Sequence, residues 1–199
     1  MKIITLVLGP LETNCYLVGD EATGLCTVID PATRSTFILD KIREQGWTVG
    51  AILLTHAHFD HVGALRSLHE ALPETPIFVC ADDKDERYNM SHGNLVYTDL
   101  YEKSVTVGSL EFSALHTPGH TPGSVCLRVK NALFSGDTLF AASCGRTDFP
   151  GGDPEAMRQS LRTLAALPDS LQVFPGHGES TTLADEKRWN PYLREAMET

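Results

Sequence analysis

Thr55-His56-Ala57-His58-Phe59-Asp60-His61 is the stretch whose reading decides the fold of this 199-residue chain. It sets His56, His58, Asp60 and His61 directly behind the apolar run Gly50-Ala51-Ile52-Leu53-Leu54. Imidazole and carboxylate are the usual ligands for zinc, iron or manganese. In an extended strand alternate side chains share a face, whereas a turn can splay alternate residues toward two neighbouring ions. A solvated polar loop has no need of so dense a set of ligand types. The stretch therefore reads as a metal-binding turn mounted on the stiff end of a strand.

Two ions need more ligands, and three further apolar runs supply them. His120 lies in His116-Thr117-Pro118-Gly119-His120-Thr121-Pro122-Gly123, behind the alternating run Leu110 to Leu115. Asp137 follows Leu133-Phe134-Ser135-Gly136, and His177 follows Leu171-Gln172-Val173-Phe174-Pro175-Gly176. Glycine and proline beside each of them set sharp turns and let backbone come close to a site. Singly, each would be a turn histidine or a capping aspartate. Together, strand ends that repeatedly present a metal-ligand type form a specific pattern. Neutral imidazoles leave most of the positive charge on the ions, so a shared water becomes hydroxide near neutral pH. No cysteine joins the set, which speaks against a closed structural zinc site.

The series THAHFDH, TPGHTPG, FSGDTLF and FPGHG resembles the metallo-β-lactamase-fold superfamily, and within it the short, single-domain glyoxalase II-like (hydroxyacylglutathione hydrolase-like) hydrolases. The resemblance runs from the first strand to about Asn190-Pro191-Tyr192-Leu193. It implies an α+β fold, a four-layer αβ/βα sandwich, with residues 1–199 as one domain. It also implies that His56, His58 and His120 hold one divalent transition-metal ion and that Asp60, His61 and His177 hold a second. Asp137 would bridge the two, and Asp60 and Asp137 are the candidate catalytic carboxylates. Zinc is the expected metal, with iron or manganese as the alternatives. His116 falls outside this pattern and reads as a supporting or structural histidine.

The resemblance further implies a thioester substrate, such as S-lactoylglutathione, attacked by metal-held hydroxide. Arg146, in Cys144-Gly145-Arg146, stands where that family has a basic residue that binds the thiol portion, and guanidinium suits capture of a carboxylate. A salt bridge of Arg146 to Asp148 or Asp153 is the competing reading. Thr147-Asp148-Phe149-Pro150 replaces the family's tyrosine-bearing segment, so no tyrosine contact to glutathione carries over. The resemblance is to the short members, so the C-terminal helical domain that full-length members use for glutathione is not expected here. An alternative reading is a mononuclear iron persulfide dioxygenase of the same fold, which shares a Cys-Gly-Arg-Thr-Asp-Phe segment. Against it stands Pro175-Gly176-His177-Gly178, the hydrolase-like form of the last ligand loop. A lactone or other ester metallohydrolase, or a catalytically silent scaffold, are further alternatives; occupation of all seven ligand positions argues against the last.

Composition sets limits. With 26 acidic against 16 basic residues the formal net charge is -10. No basic patch is visible for nucleic acid or anionic lipid, so neither is an expected partner. No stretch approaches the roughly 20 apolar residues of a membrane span. The opening residues Met1 to Gly9 read as a strand, since the apolar segment is too short for a signal peptide. Five scattered cysteines suit a reduced cytoplasm better than a disulfide framework. The oligomeric state is left open.

Apolar periodicity predicts strands near 2–8, 14–19, 25–29 and 50–55, then 76–80, 104–107, 110–116, 124–130, 131–135 and 171–174. It predicts helices over 34–45 ended by Gly46, over Val62 to Leu72, from Asp153-Pro154 to about Leu167, and over 183–198 disturbed at Pro191. Asp82-Asp83-Lys84-Asp85-Glu86-Arg87 reads as a solvated helical face. Tyr88, Met90, His92, Tyr97 and Tyr101 read as core or surface packing rather than as site residues.

Overall fold

The computed structural model describes residues 1–198, which form two six-stranded sheets laid face to face. The first sheet is built in chain order from β1 (Lys2–Leu8), β2 (Thr13–Asp20), β3 (Leu25–Ile29), β4 (Thr48–Leu53), β5 (Ile77–Val79) and β6 (Asp99–Leu100). β1 to β3 pair antiparallel, and β3 to β6 pair parallel. The second sheet contains β7 (Ser104–Val107), β8 (Leu110–His116), β9 (Val125–Val129) and β10 (Ala132–Gly136). A two-residue ribbon, β11 (Leu139–Phe140) with β12 (Ser143–Cys144), precedes its last strands, β13 (Gln172–Pro175) and β14 (Thr181–Thr182). The order is β14-β13-β10-β9-β8-β7, and only β10 and β13 pair parallel.

Alternation along the strands explains the layers, because successive side chains leave a strand on opposite faces. In β2, Tyr16 and Val18 face the second sheet while Cys15 and Leu17 face helices. In β10, Ala132 and Phe134 join that same inter-sheet core, and Leu133 faces the opposite way. Strands covered on both sides therefore read as unbroken apolar runs. The outer face of the first sheet is covered by α1 (Ser35–Glu44), α2 (Phe59–Val62) and α3 (Leu65–Ala71), through Ile38, Ile42, Val62, Leu65 and Leu68. A short α4 (Glu86–Asn89) follows β5. The outer face of the second sheet takes α5 (Pro154–Ala165), α6 (Leu183–Trp189) and α7 (Pro191–Glu198), through Met157, Leu161, Leu164, Leu183 and Leu193. Helix, sheet, sheet, helix is the observed order of layers, as expected.

Helix ends follow their sequence signals. Asp153 accepts the amides of Glu155 (2.8 Å) and Ala156 (3.0 Å) at the start of α5. Thr182 accepts the amide of Asp185 at 3.1 Å, and Gly46 closes α1 at φ +70°. One expectation fails: the helix predicted from Val62 to Leu72 is two pieces. Ala64 donates its amide to Pro31 O at 2.9 Å, and a Cβ at Gly63 would stand 2.3 Å from Ala32 O. The chain backs onto the loop after β3 there, and contact with that loop breaks the helix.

Candidate metal centre

The parallel strands of both sheets end at one place. β4 delivers Thr55 to His58 and then α2, whose first turn carries Asp60 and His61. β10 and β13 deliver Asp137 and His177, and the turn between β8 and β9 brings His120 over the top. Ligand sites at the carboxyl ends of parallel strands are a general property of such sheets. Gly176 accepts the amide of Asn14 (2.8 Å), and Asn14 also donates to Pro175 O and Gly178 O. Those bonds tie the His177 turn of one sheet to β2 of the other. A Cβ on Gly176 would lie 2.2 Å from Asp137 Oδ1, so only glycine leaves room for that carboxylate.

All seven expected ligand residues converge. Ligand atoms of His56, His58 and His120 lie within 4.8 Å of one another, and so do those of Asp60, His61 and His177. Asp137 stands between the groups: Oδ1 is 3.4 Å from His61 Nε2, while Oδ2 is 3.4 Å from His120 Nε2 and 3.6 Å from His177 Nε2. Nε2 of His56, His58 and His61 and Oδ1 of Asp137 are buried with no hydrogen-bond partner. Orphaned buried polar atoms are rare in folded proteins. Those of His56, His61 and Asp137 belong to one cluster and fit divalent cations as their missing partners.

The opposite ring nitrogens are occupied, which decides where each lone pair points. His61 Nδ1 donates to Asp30 Oδ2 (2.9 Å), His120 Nδ1 to Arg146 O (2.8 Å) and His177 Nδ1 to Leu11 O (3.0 Å). His56 Nδ1 lies 3.1 Å from Thr55 Oγ1, which itself donates to Asp30 Oδ2 at 2.6 Å. Thr13 Oγ1 donates to Asp60 Oδ2 at 2.8 Å. His58 differs in offering Nδ1, which meets His120 Nε2 at 2.8 Å.

Asp30 and Asp83 were not among the expected site residues. Asp30 follows β3 at φ +50°, is buried, and also accepts the amide of Thr55 at 2.7 Å. It thus orients two candidate ligands at once. The run Cys26 to Ile29 ending in a carboxylate was the signal that could have marked it. Asp83 corrects the reading of residues 82–87 as a solvated face. It is fully buried and accepts the amides of Ala57 (2.9 Å) and Gly123 (2.8 Å), clamping the two ligand turns together. Tyr101, as expected, belongs to packing: it stacks on Phe78 and donates to Leu54 O at 3.1 Å.

Arg146 serves His120 through its main-chain oxygen. Its guanidinium binds Asp148 (2.6 and 2.7 Å) and lies 4.1 Å over the Phe149 ring, which meets His58 edge-on. The bridge to Asp148 that the sequence offered is present, while Asp153 caps α5 instead. His116 lies outside the centre and donates Nε2–H to Pro122 O at 2.8 Å.

Protonation differs between the two groups. Burial holds His56 well below the usual imidazole range and, with the neighbouring His120, takes His58 down to about 3. Burial also opposes charge on His61 and His177, but Asp137 and Asp30 outweigh it for the first and Asp60 for the second, so both are raised. A cation competes with protons for these nitrogens. The depressed pair stays neutral into acid, whereas His61 and His177 must shed protons over a higher pH window. Metal content is therefore expected to fall in stages, from about two ions per chain near pH 8 to about one near pH 5. Equilibrium dialysis followed by metal analysis checks this; simultaneous loss of both ions would contradict it.

Known proteins resemble this chain over nearly its whole length. The hydroxyacylglutathione hydrolase GloC of Haemophilus influenzae is 32% identical, over 97% of this chain and 98% of its own length. The solved BLEG-1 B3 metallo-beta-lactamase superposes with a TM-score of 0.88 at 33% identity, covering 96% of this chain and 99% of that one. TTHA1623, solved in a di-iron-bound form, gives 0.83 at 38%, covering 95% and 99%. ETHE1 from Myxococcus xanthus gives 0.86 at 32%, covering 99% and 88%. Residues 8–177 match the family model of the metallo-beta-lactamase superfamily, to which this chain belongs.

Proposed function

We propose that this metallo-hydrolase is a dinuclear thioester hydrolase of the glyoxalase II type, acting on S-lactoylglutathione or a related acyl thioester. The observation that carries the reading is the meeting of two three-residue His/Asp groups at Asp137, with Nε2 of His56 and of His61 buried and unpartnered. His56, His58 and His120 would hold one ion and Asp60, His61 and His177 the other. Two bound divalent ions, zinc or alternatively iron or manganese, supply an activated water and a Lewis acid for the acyl carbonyl. Around them the chain's own groups do the positioning. Asp30, Leu11 O and Arg146 O fix three of the ring tautomers, and Phe149 walls the centre beside His58 and His120.

GloC supports a thioester, since it carries the name hydroxyacylglutathione hydrolase at nearly full coverage. Identity alone does not choose the substrate: GloC at 32%, BLEG-1 at 33% and ETHE1 at 32% bear three different names. An activity panel on metal-analysed protein tests the proposal, with S-lactoylglutathione, other acyl thioesters, a lactone and a β-lactam. Hydrolysis of the lactone or β-lactam alone would overturn it. The dioxygenase reading is favoured by the Cys144-to-Phe149 segment; oxygen uptake with glutathione persulfide would establish it instead.

Arg146 is the residue to test for the thiol half. If its guanidinium leaves Asp148 to grip a substrate carboxylate, Arg146→Ala should raise KM for S-lactoylglutathione and spare a small uncharged thioester. Loss of one charge-assisted contact to the substrate should lower kcat/KM roughly tenfold to a hundredfold. Equal loss for both substrates would assign Arg146 to holding its loop through Asp148.

A further inference from the structure

His116 ends β8 half exposed and meets the turn that follows β5. One ligand atom each from Cys80, Asp82 and His116 lies within 4.8 Å of the other two, and His116 Nε2 stands 3.7 Å from Asp82 Oδ2. This trio shares no residue with the centre already described. It combines a thiol, a carboxylate and an imidazole, a set that suits a borderline cation such as zinc or cobalt and disfavours magnesium or calcium. His116 Nε2, the nitrogen beside Asp82, also donates to Pro122 O at 2.8 Å, so ligation through it requires the exposed ring to turn from that carbonyl.

The surroundings are suited to entry from solvent. Asp82 and His116 are exposed at the rim, so both can adjust by rotation, while Cys80 is partly covered below them. Burial pushes the Cys80 thiol up, so the sulfur carries its proton until a cation displaces it. We propose that Cys80, Asp82 and His116 form a peripheral site for a zinc-like divalent cation, with one position left open to water. The same turn carries Asp83, whose carboxylate holds the amides of Ala57 and Gly123. An ion there would pin to β8 the turn that braces both ligand loops of the main centre.

Cobalt reads this site separately from the main one, because thiolate-to-cobalt charge transfer absorbs in the near ultraviolet and the His/Asp centre contains no sulfur. The protein is first loaded with metal at its main centre and then titrated with cobalt. The expected result is a charge-transfer band that saturates with about one further equivalent. It should be absent in Cys80→Ala. In Asp82→Ala and His116→Ala it should need at least about tenfold more cobalt. No band in the parent at saturating cobalt, or a band that survives in Cys80→Ala, would overturn the site. Should Cys80→Ala fail to fold, the two rim variants decide, and an unchanged cobalt dependence in both would overturn it equally. The band depends on sulfur alone, so its outcome is independent of whether the main centre hydrolyses thioesters.

Discussion

Asp137→Ala should lose one of the two ions and nearly all activity. Its carboxylate touches both groups: Oδ1 lies 3.4 Å from His61 Nε2 and Oδ2 3.6 Å from His177 Nε2 in one group, while Oδ2 also lies 3.4 Å from His120 Nε2 in the other. Among the described residues, the neighbouring carboxylates are already engaged: Asp60 by Thr13 and the second group, and Asp30 by Thr55 and His61 Nδ1. Without the bridge, two cations would face each other with less negative charge between them. The transition-state stabilisation a metal supplies is several kcal/mol, so the expected loss in kcat is on the order of a thousandfold. Metal analysis and steady-state kinetics on one preparation check both halves. Two ions per chain and near-parent kcat in the variant would remove Asp137 from the centre.

The second large effect is expected at a residue that touches no candidate cation. Asp30→Ala removes the acceptor of three donors at once: the Thr55 amide, the Thr55 hydroxyl and His61 Nδ1. All of them are buried, and each stranded donor costs about 1–3 kcal/mol. Partial rescue by water would still leave about 3 kcal/mol, which for a chain of this size lowers Tm by roughly 10 °C. Loss of such an outer partner also weakens metal binding about 10- to 100-fold. Thermal unfolding of the metal-free protein, with a chelator competition on the loaded protein, separates the two losses. A variant with parent-like Tm and parent-like metal retention would show that Asp30 orients nothing.

These two residues also mark where sequence reading works and where it stops. Asp137 was legible because it repeats a local signal, an apolar strand run ending in glycine and a ligand type. His56, His58, Asp60 and His61 were legible for a simpler reason: their density within one turn needs no knowledge of the fold. Asp30 ends an equally apolar run, yet its role exists only because β3 lies parallel beside β4 and reaches Thr55 and His61 from there. That pairing is non-local. Asp83 was misread because a run of charges normally faces water; the turn carrying it is instead folded under the His120 loop. The strands β6, β11, β12 and β14 have two residues each, too few to show any periodicity. The division between α2 and α3 was hidden because contact with the loop at Pro31 and Ala32, rather than a breaker residue of proline type, imposes it.

The two sheets divide the ligands unequally. His56, His58, Asp60 and His61 come from the half of the chain that builds the first sheet, and His120, Asp137 and His177 come from the half that builds the second. Each three-residue group draws on both halves. Neither half could therefore grip an ion at full strength during synthesis, and tight loading has to wait until the two have docked. Once seated, the cations would act as rivets across the seam. A chelator should then loosen the molecule along the line between its sheets before it disturbs the interior of either one.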